Sequence, residues 1–313
     1  MKKDFRIPDF LVIGAGKSGT TSLNNYLEQH PQVFMSPVKE PNFFAYEVFD
    51  SEAIAHDDDQ LNHYKESVTD LEHYLSLFNG AQQSQVIGET SNTYLYHQQS
   101  IGRIKYYNAN MKLIAILRNP ADRLYSRYLH LAKYGLEPTA NFSDSLDINS
   151  IWWKRPDLIQ EGMYYSHLSE YFSAFSKEQI RIYLYEDFKN NPTAITQDIF
   201  TFLDVDTNFT PDMSVAFNRS GIVANRAYNN LFGYNSFLQK SIKALLPDSI
   251  YADLKKNYRL QKVVNKIKEA NLKRPAIEAE VREKLINEVY REEILSLQYL
   301  IDKDLNLWLN SAK

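Results

Sequence analysis

The sequence predicts an α/β fold, in which helices cover both faces of a central parallel sheet and a helical extension follows. Short apolar runs of strand length alternate with segments of helical pattern, and two of these runs end in turns that open a helix. From about residue 228 onward the pattern is helical. We therefore expect a single domain, with an α/β core over residues 1–227 and a helical extension over residues 228–313.

The first strand is predicted at residues 10–13, a buried apolar run that ends in a glycine turn. The helix after it spans about residues 21–29, because Pro31 disfavours helical backbone at the residue before it. Two further short apolar runs, at residues 33–35 and 86–89, predict the next strands.

The clearest strand is predicted at residues 112–117, and it opens a second strand-turn-helix unit. Asn119 is a favourable N-cap and Pro120 suits the first helical position, so the next helix should run to about residue 133, before Gly135. Apolar spacing also predicts a strand at 180–185 and helices at 164–175 and 194–203.

The C-terminal extension is predicted from apolar residues that recur at helical spacing among charges over residues 276–301. These residues are Val281, Leu285, Val289, Ile294, Leu297 and Leu300. Residues 47–85 are polar by comparison and predict an insertion between two strands.

Composition excludes several classes of function. Lysine and arginine number 35 against 39 acidic residues, a formal net charge of -4, so we expect no nucleic-acid partner and a local site for any bound anion. The absence of cysteine excludes thiolate metal sites and cysteine nucleophiles. No apolar run approaches the length of a membrane span, and we expect a cytoplasmic protein without a transmembrane segment.

The first chemical motif is GAGKSGTTSL, at residues 14–23 between the first strand and its helix. Glycines let the backbone approach an anion, amides at the helix N-terminus point toward it, and Lys17 adds a positive charge. The motif contains G-x-G-x-x-G but lacks the acidic residue of a dinucleotide site, and Leu11 occupies a position where a Walker A loop needs glycine. The predicted anion-binding residues are Gly16, Lys17, Ser18, Gly19, Thr20, Thr21 and Ser22.

The second motif is RNPADRLYS, at residues 118–126. Arg118 lies at the carboxyl end of the predicted strand, and Ser126 lies about two turns into the following helix. A guanidinium and a hydroxyl placed in this way can reach one phosphate group together. We interpret Arg123 and Arg127, within the same helix, as solvated or paired with Asp122, although Arg127 could reach anionic groups of an acceptor.

Together the two motifs resemble those of the PAPS-dependent sulfotransferases, which transfer a sulfuryl group from 3'-phosphoadenosine 5'-phosphosulfate. The resemblance implies a P-loop-like three-layer fold. It also implies that residues 14–23 hold the 5'-phosphosulfate, that Arg118 and Ser126 hold the 3'-phosphate, and that the product is PAP.

Other segments follow the same family order. Residues 38–44, VKEPNFF, resemble the KEP-x-FF segment of the carbohydrate branch typified by heparan sulfate sulfotransferases, where the glutamate is the catalytic base. Tyr164, within EGMY, also fits the pattern. A late loop that would cover the cofactor contains Arg219, Ser220, Gly221 and Arg226.

In the implied mechanism, Lys17 stabilises the leaving phosphate and Glu40 accepts the proton of a hydroxyl or amine acceptor. Glu89, at a predicted strand end, is an alternative base or a partner for Lys17, and His97 and His130 are less favoured alternatives. No histidine pair has metal-site spacing, and a sulfuryl group carries too little charge to need magnesium, so we expect no metal requirement.

The acceptor is expected to be a carbohydrate or a small alcohol, and the sequence leaves its identity and the oligomeric state open. Trp152 and Trp153 are either a stacking platform for the acceptor or, in the interpretation we favour, a lid packed on the core. Two alternative functions stay open: a nucleotide-dependent kinase or NTPase with a variant phosphate loop, and an inactive nucleotide-binding or glycan-binding module.

Overall fold

The computed structural model describes residues 6–47, 65–214, 222–223, 272–273 and 275–310. Its centre is a five-stranded sheet in which every neighbouring pair of strands is parallel. The strands are β1 (Phe10–Gly14), β2 (Val33–Met35), β3 (Val86–Thr90), β4 (Lys112–Leu117) and β5 (Ile180–Leu184). All five strands predicted from apolar runs are present, which confirms the predicted α/β class.

The strand order β2-β3-β1-β4-β5 places β1 and β4 side by side at the centre of the sheet. The chain leaves β1 toward β2 at one edge, whereas it leaves β4 toward β5 at the other edge. Connections that diverge from two adjacent parallel strands open a crevice at their carboxyl ends, where α/β proteins bind ligands. Both motifs found in the sequence begin at that point.

Helices cover both faces of the sheet. In chain order they are α1 (Thr20–Glu28), α2 (Phe43–Tyr46), α3 (Leu71–Ser76), α4 (Gln99–Tyr107), α5 (Pro120–Ala132), α6 (Ile151–Lys154), α7 (Tyr164–Ala174), α8 (Tyr185–Asn190) and α9 (Pro192–Leu203). Alternate residues of β1 enter opposite cores: Leu11 and Ile13 face one cluster, and Phe10 and Val12 face the other.

Helix α5 begins where its sequence predicts. The Asn119 Oδ1 atom accepts hydrogen bonds from the backbone N–H groups of Ala121 at 3.1 Å and Asp122 at 3.2 Å, and Pro120 occupies the first turn. The Asn119 side chain also donates from Nδ2 to the carbonyl of Trp308 at 3.1 Å, so the start of α5 is tied to the C-terminal segment.

The described C-terminal segment contains α10 (Ala279–Lys284), a π-helical turn (Leu285–Tyr290), α11 (Arg291–Ile301) and α12 (Asn306–Leu309). The predicted periodicity holds for Val281, Leu285, Ile294 and Leu297, which are buried, but the π turn shifts the buried face so that Tyr290 is buried in place of Val289. The predicted division at residue 227 lies outside the described residues.

Candidate active site

The loop between β1 and α1 has the backbone of an anion cradle. Lys17 has a left-handed backbone with φ of 67°, and so does Gly19, with φ of 94°, at the N-cap of α1. Thr20 and Ser18 are buried, whereas Thr21 and Ser22 are partly exposed. Within the part of the chain that the structure describes, the buried Ser18 hydroxyl has no hydrogen-bond partner. A polar atom buried in this way is suited to a ligand contact.

Lys17 lies in a strongly positive environment. The pKa of its amine is lowered from 10.5 to about 7. Burial is the largest cause, and the positive charges of Arg127, Lys133 and Lys39 act in the same direction. Glu40 acts in the opposite direction, because its carboxylate favours the charged amine. The site therefore concentrates positive charge around one lysine, which an anionic ligand would relieve.

Arg118 brings the second motif to the first. Its Nη1 atom donates a hydrogen bond to the carbonyl of Lys17 at 3.2 Å, and its guanidinium lies 4.9 Å from the centre of the Tyr185 ring. Ser126 is buried on α5, about two turns after Asn119. The strand order places residues 14–23 and 118–126 at one crevice, because each segment follows one of two neighbouring strands.

Tyr164 is buried at the first turn of α7, and its ring centre lies 6.2 Å from that of Trp308. Arg219, Ser220, Gly221 and Arg226, the predicted covering loop, lie outside the described residues. Their assignment stays a prediction.

Glu161 is a site residue that the sequence motifs did not single out. Its Oε1 atom accepts a hydrogen bond from the backbone N–H of Gly16 at 2.6 Å, and its Oε2 atom pairs with Arg123 Nη1 at 2.7 Å. Both side chains are buried. In this structure the Gly16 amide is thus held by an internal carboxylate. The only sequence signal was a glutamate next to the glycine of EGMY.

The expected environment of Arg123 and Arg127 is wrong. Arg123 is fully buried against Glu161, and Arg127 donates from Nε to Asp157 Oδ2 at 2.9 Å. Asp122 pairs with Arg282 at 3.0 Å instead. These partners lie 30 or more residues away along the chain, so local spacing gave no signal for them.

Glu40 lies on the loop before α2, where its carboxylate is partly exposed. Its backbone is left-handed, with φ of 58°, and its N–H donates to the carbonyl of Thr90 at 2.9 Å. The Oε1 atom accepts from Lys39 Nζ at 2.8 Å and from Asn92 Nδ2 at 2.9 Å. These contacts hold a partly exposed carboxylate whose charge acts on the Lys17 amine.

Glu89, the alternative base, is fully buried in β3. Its oxygens accept from Tyr94 at 2.6 Å, Ser91 at 2.9 Å and Tyr74 at 3.3 Å, and Ser91 Oγ in turn accepts from the Asn42 amide at 3.0 Å. Burial raises the pKa of Glu89 to about 7, although these hydrogen bonds favour its ionised form. Through Ser91, Glu89 is connected by hydrogen bonds to Asn42, two residues after Glu40. This geometry suits a residue that supports the loop carrying Glu40.

The two histidines considered as bases are in unfavourable surroundings for that role. Burial and the positive charges of Lys17 and Arg127 lower the pKa of His130 to about 3. Burial, with the charge of Arg103, lowers the pKa of His97 to about 4. Both rings are therefore neutral and weakly basic near neutral pH.

The tryptophan pair packs as the favoured interpretation expects. Trp152 is fully buried, its ring centre lies 5.4 Å from that of Phe142, and its Nε1 atom donates to Thr139 Oγ1 at 3.0 Å. Trp153 is partly buried and donates from Nε1 to the carbonyl of Ser145 at 3.1 Å. The buried indole of Trp152 has no open face for stacking an acceptor.

Two features are absent from the described residues. No helix in them is both long enough and apolar enough to cross a bilayer. They contain no cluster of three or more histidine, aspartate or glutamate side chains arranged to hold a metal ion.

Comparison with known proteins places the chain in a family. Residues 7–262 match the sulfotransferase domain family. The chain is 25% identical over 221 residues to the mouse bifunctional heparan sulfate N-deacetylase/N-sulfotransferase 4, covering 68% of this chain and 24% of that protein. It is 26% identical over 253 residues to human carbohydrate sulfotransferase 15, covering 65% of this chain and 45% of that protein. The chain thus spans less than half the length of either relative.

The fold has a match among solved structures. The sulfotransferase from Alicyclobacillus acidocaldarius superposes with a TM-score of 0.69 and 25% sequence identity, covering 97% of this chain and 100% of that one. The resemblance and the P-loop-like fold predicted from the two motifs are both confirmed. The chain belongs to the sulfotransferase domain family.

Proposed function

We propose that this protein transfers a sulfuryl group from PAPS to a hydroxyl or amine acceptor, with PAP as the other product. One observation carries the proposal: two anion-binding turns from adjacent strands meet at one crevice, with the Arg118 guanidinium bonded to the carbonyl of Lys17 at 3.2 Å. A nucleotide with one phosphate on the 3' oxygen and another on the 5' oxygen of the same ribose matches two cationic turns that lie side by side.

The residues present fit such a cofactor. The N-terminus of α1, the buried hydroxyl of Ser18 and the amine of Lys17 suit the 5'-phosphosulfate end. Arg118 and Ser126 suit the 3'-phosphate, and the Arg118 guanidinium already rests on the Tyr185 ring, which limits its freedom before binding. When bound, PAPS would supply the activated sulfuryl group.

The chain's own side chains would supply positioning, charge and a base. Lys17 would hold a proton at Nζ next to the oxygen where negative charge develops, which is stabilisation by a preorganised group. Glu40 would take the acceptor's proton at its carboxylate, a contribution of about 10² to 10⁴ in rate. Its hydrogen bonds from Lys39 and Asn92 hold the carboxylate in place for that task.

For the acceptor we propose a carbohydrate or a small alcohol. Support comes from the names of the relatives, a heparan sulfate N-deacetylase/N-sulfotransferase and a carbohydrate sulfotransferase, and from residues 38–44. The expected cytoplasmic location stays a prediction.

The test is a comparison of nucleotides in a thermal-shift assay, followed by a transfer assay with radiolabelled PAPS and cell-envelope extracts. We expect PAP without metal to stabilise the protein, by about 2.7 kcal/mol at one hundred times its dissociation constant. Stabilisation by ATP with magnesium and not by PAP would favour the kinase or NTPase alternative. PAP binding without transfer to any acceptor would favour the inactive binding module.

A further inference from the structure

Glu161 contacts both elements that the proposed function assigns to the cofactor. These are the loop between β1 and α1, called here the phosphate loop, and helix α5. One carboxylate oxygen accepts from the Gly16 amide at 2.6 Å, and the other pairs with Arg123 at 2.7 Å. Gly16 belongs to the loop after β1, whereas Arg123 belongs to α5, the helix that follows Arg118. A single buried carboxylate therefore joins the loop after β1 to α5.

The contact with the loop requires glycine at position 16. A Cβ atom at that position would lie 2.8 Å from Glu161 Oε1, which is closer than such atoms approach in proteins. The close approach that a glycine permits is thus used here by a carboxylate of the chain itself. A substitution at position 16 would block this contact and leave every other residue of the loop unchanged.

The surroundings of Glu161 fix its position. Arg123 also donates to the carbonyl of Leu158, and the Tyr290 hydroxyl donates to the carbonyl of Ile159 at 3.1 Å. A Cβ atom on Gly162 would lie 2.8 Å from the Tyr290 ring, so the segment has no room to shift in that direction. Because the carboxylate is held in this way, the position of the Gly16 amide depends on the position of α5.

We propose that Glu161 is a positioning residue: it holds the phosphate loop in its anion-binding conformation through the Gly16 amide, while Arg123 sets the position of its carboxylate. The inference rests on the proposed function, since the anion is the phosphosulfate of PAPS. Glu161 is 3% exposed, so it acts on the loop from inside the protein. If Glu161 instead competed with the ligand for the Gly16 amide, loss of its contact with that amide would strengthen PAP binding.

A double-mutant cycle on the full chain tests the proposal. Glu161→Asp keeps a charge beside Arg123 but shortens the reach to Gly16, and Gly16→Ala blocks the same contact while keeping both side chains of the Glu161–Arg123 pair. We expect each to weaken PAP binding about tenfold, the loss for one hydrogen bond to a charged group, and to raise KM for PAPS more than it lowers kcat. Because both changes break one contact, the double variant should bind no more than about tenfold more weakly than wild type.

Matched controls are Glu170→Asp and Gly102→Ala. Glu170 is exposed on α7, and a Cβ atom on Gly102 would meet nothing within 4 Å, so both should bind PAP like wild type. Melting temperatures separate binding from folding, and Gly16→Ala keeps the test valid if Glu161→Asp does not fold.

Three results would overturn the proposal: single variants that bind PAP as tightly as wild type, tighter binding by either variant, or an additive loss of about a hundredfold in the double variant. A wild-type protein that binds no PAP would instead contradict the proposed function, and this inference with it.

Discussion

Two side chains of the site, Lys17 and Glu40, lie on left-handed backbone, which non-glycine residues seldom adopt. Such conformations cost on the order of 1–3 kcal/mol each and persist where the surrounding structure over-determines them. Lys17 in addition keeps an amine in a buried, positive environment. A stability cost at two residues of one candidate site is typical of a site kept for function.

The Lys17 amine gives a prediction for stability against pH. Its pKa is about 7 in the folded protein and 10.5 in the unfolded chain, so between these values the unfolded chain binds more protons and the folded state gains stability as pH rises. The cost of the buried charge is greatest below pH 7. Lys17→Met should therefore be more stable than wild type at pH 6.5, and this advantage should shrink by about 1 kcal/mol or more by pH 9.

The measurement is urea unfolding of both proteins at the two pH values. Because all other titrating groups are shared, the difference between the two proteins isolates Lys17. An advantage of Lys17→Met that is the same at both pH values would contradict the assigned pKa.

The choice between Glu40 and Glu89 as base gives a second prediction. Glu40→Gln should lower kcat about a hundredfold or more without changing PAP affinity, because the variant loses the proposed proton acceptor. Glu89→Gln should mainly lower the melting temperature, since its carboxylate accepts three buried hydrogen bonds. Steady-state kinetics that show the larger fall in kcat for Glu89→Gln would reverse the assignment.

At the scale of the elements, the proposed function makes the turn after β4 the element that selects among nucleotides. If Arg118 holds a 3'-phosphate, Arg118→Ala should weaken PAP binding about 10- to 100-fold, as expected for a charge-assisted contact, yet leave the affinity for adenosine 5'-phosphate unchanged. Isothermal titration of both nucleotides measures this selectivity. Equal losses for the two nucleotides would contradict the 3'-phosphate assignment.

A matched control for this variant is Arg181→Ala on β5. Arg181 also lies over an aromatic ring, that of Phe202 at 4.6 Å, but it belongs to the edge of the sheet. It should leave the affinity for both nucleotides unchanged, so a loss there would point to general destabilisation of the sheet.

The elements themselves could be predicted because local chemistry determines them. The Asn119 cap, the proline at the first turn of α5 and the apolar runs gave β4 at its observed bounds and α5 to within one residue at its end. The pairing of Glu161 with Gly16 and Arg123 joins residues 145 and 38 positions apart, and no local spacing encodes such a contact. The burial of Glu89 was likewise invisible, because it depends on Tyr74 and Tyr94 from other elements.

At the scale of the whole molecule, the described C-terminal helices pack on the same elements that form the crevice. Trp308 accepts from Asn119, Arg282 pairs with Asp122, and Tyr290 bonds to the segment that carries Glu161. The described part of the helical extension therefore supports α5 and residues 159–162. This packing explains why the site depends on residues from nearly the whole described chain.

The proposed transfer reaction also gives a prediction about metal dependence. A sulfuryl group carries less charge than a terminal phosphoryl group, and Lys17, Arg118 and the amides of α1 already supply positive potential at the crevice. Sulfate transfer from radiolabelled PAPS should therefore continue unchanged after dialysis against EDTA. Loss of transfer that returns on adding magnesium would contradict this expectation.

The most direct test of the central claim is a crystal structure of the protein with PAP bound. We predict one PAP molecule spanning the crevice, with its 5'-phosphate at residues 16–22 beside Lys17 and its 3'-phosphate contacting Arg118 and Ser126. A bound PAP that contacts only one of the two turns, or that lies away from the carboxyl ends of β1 and β4, would contradict the account.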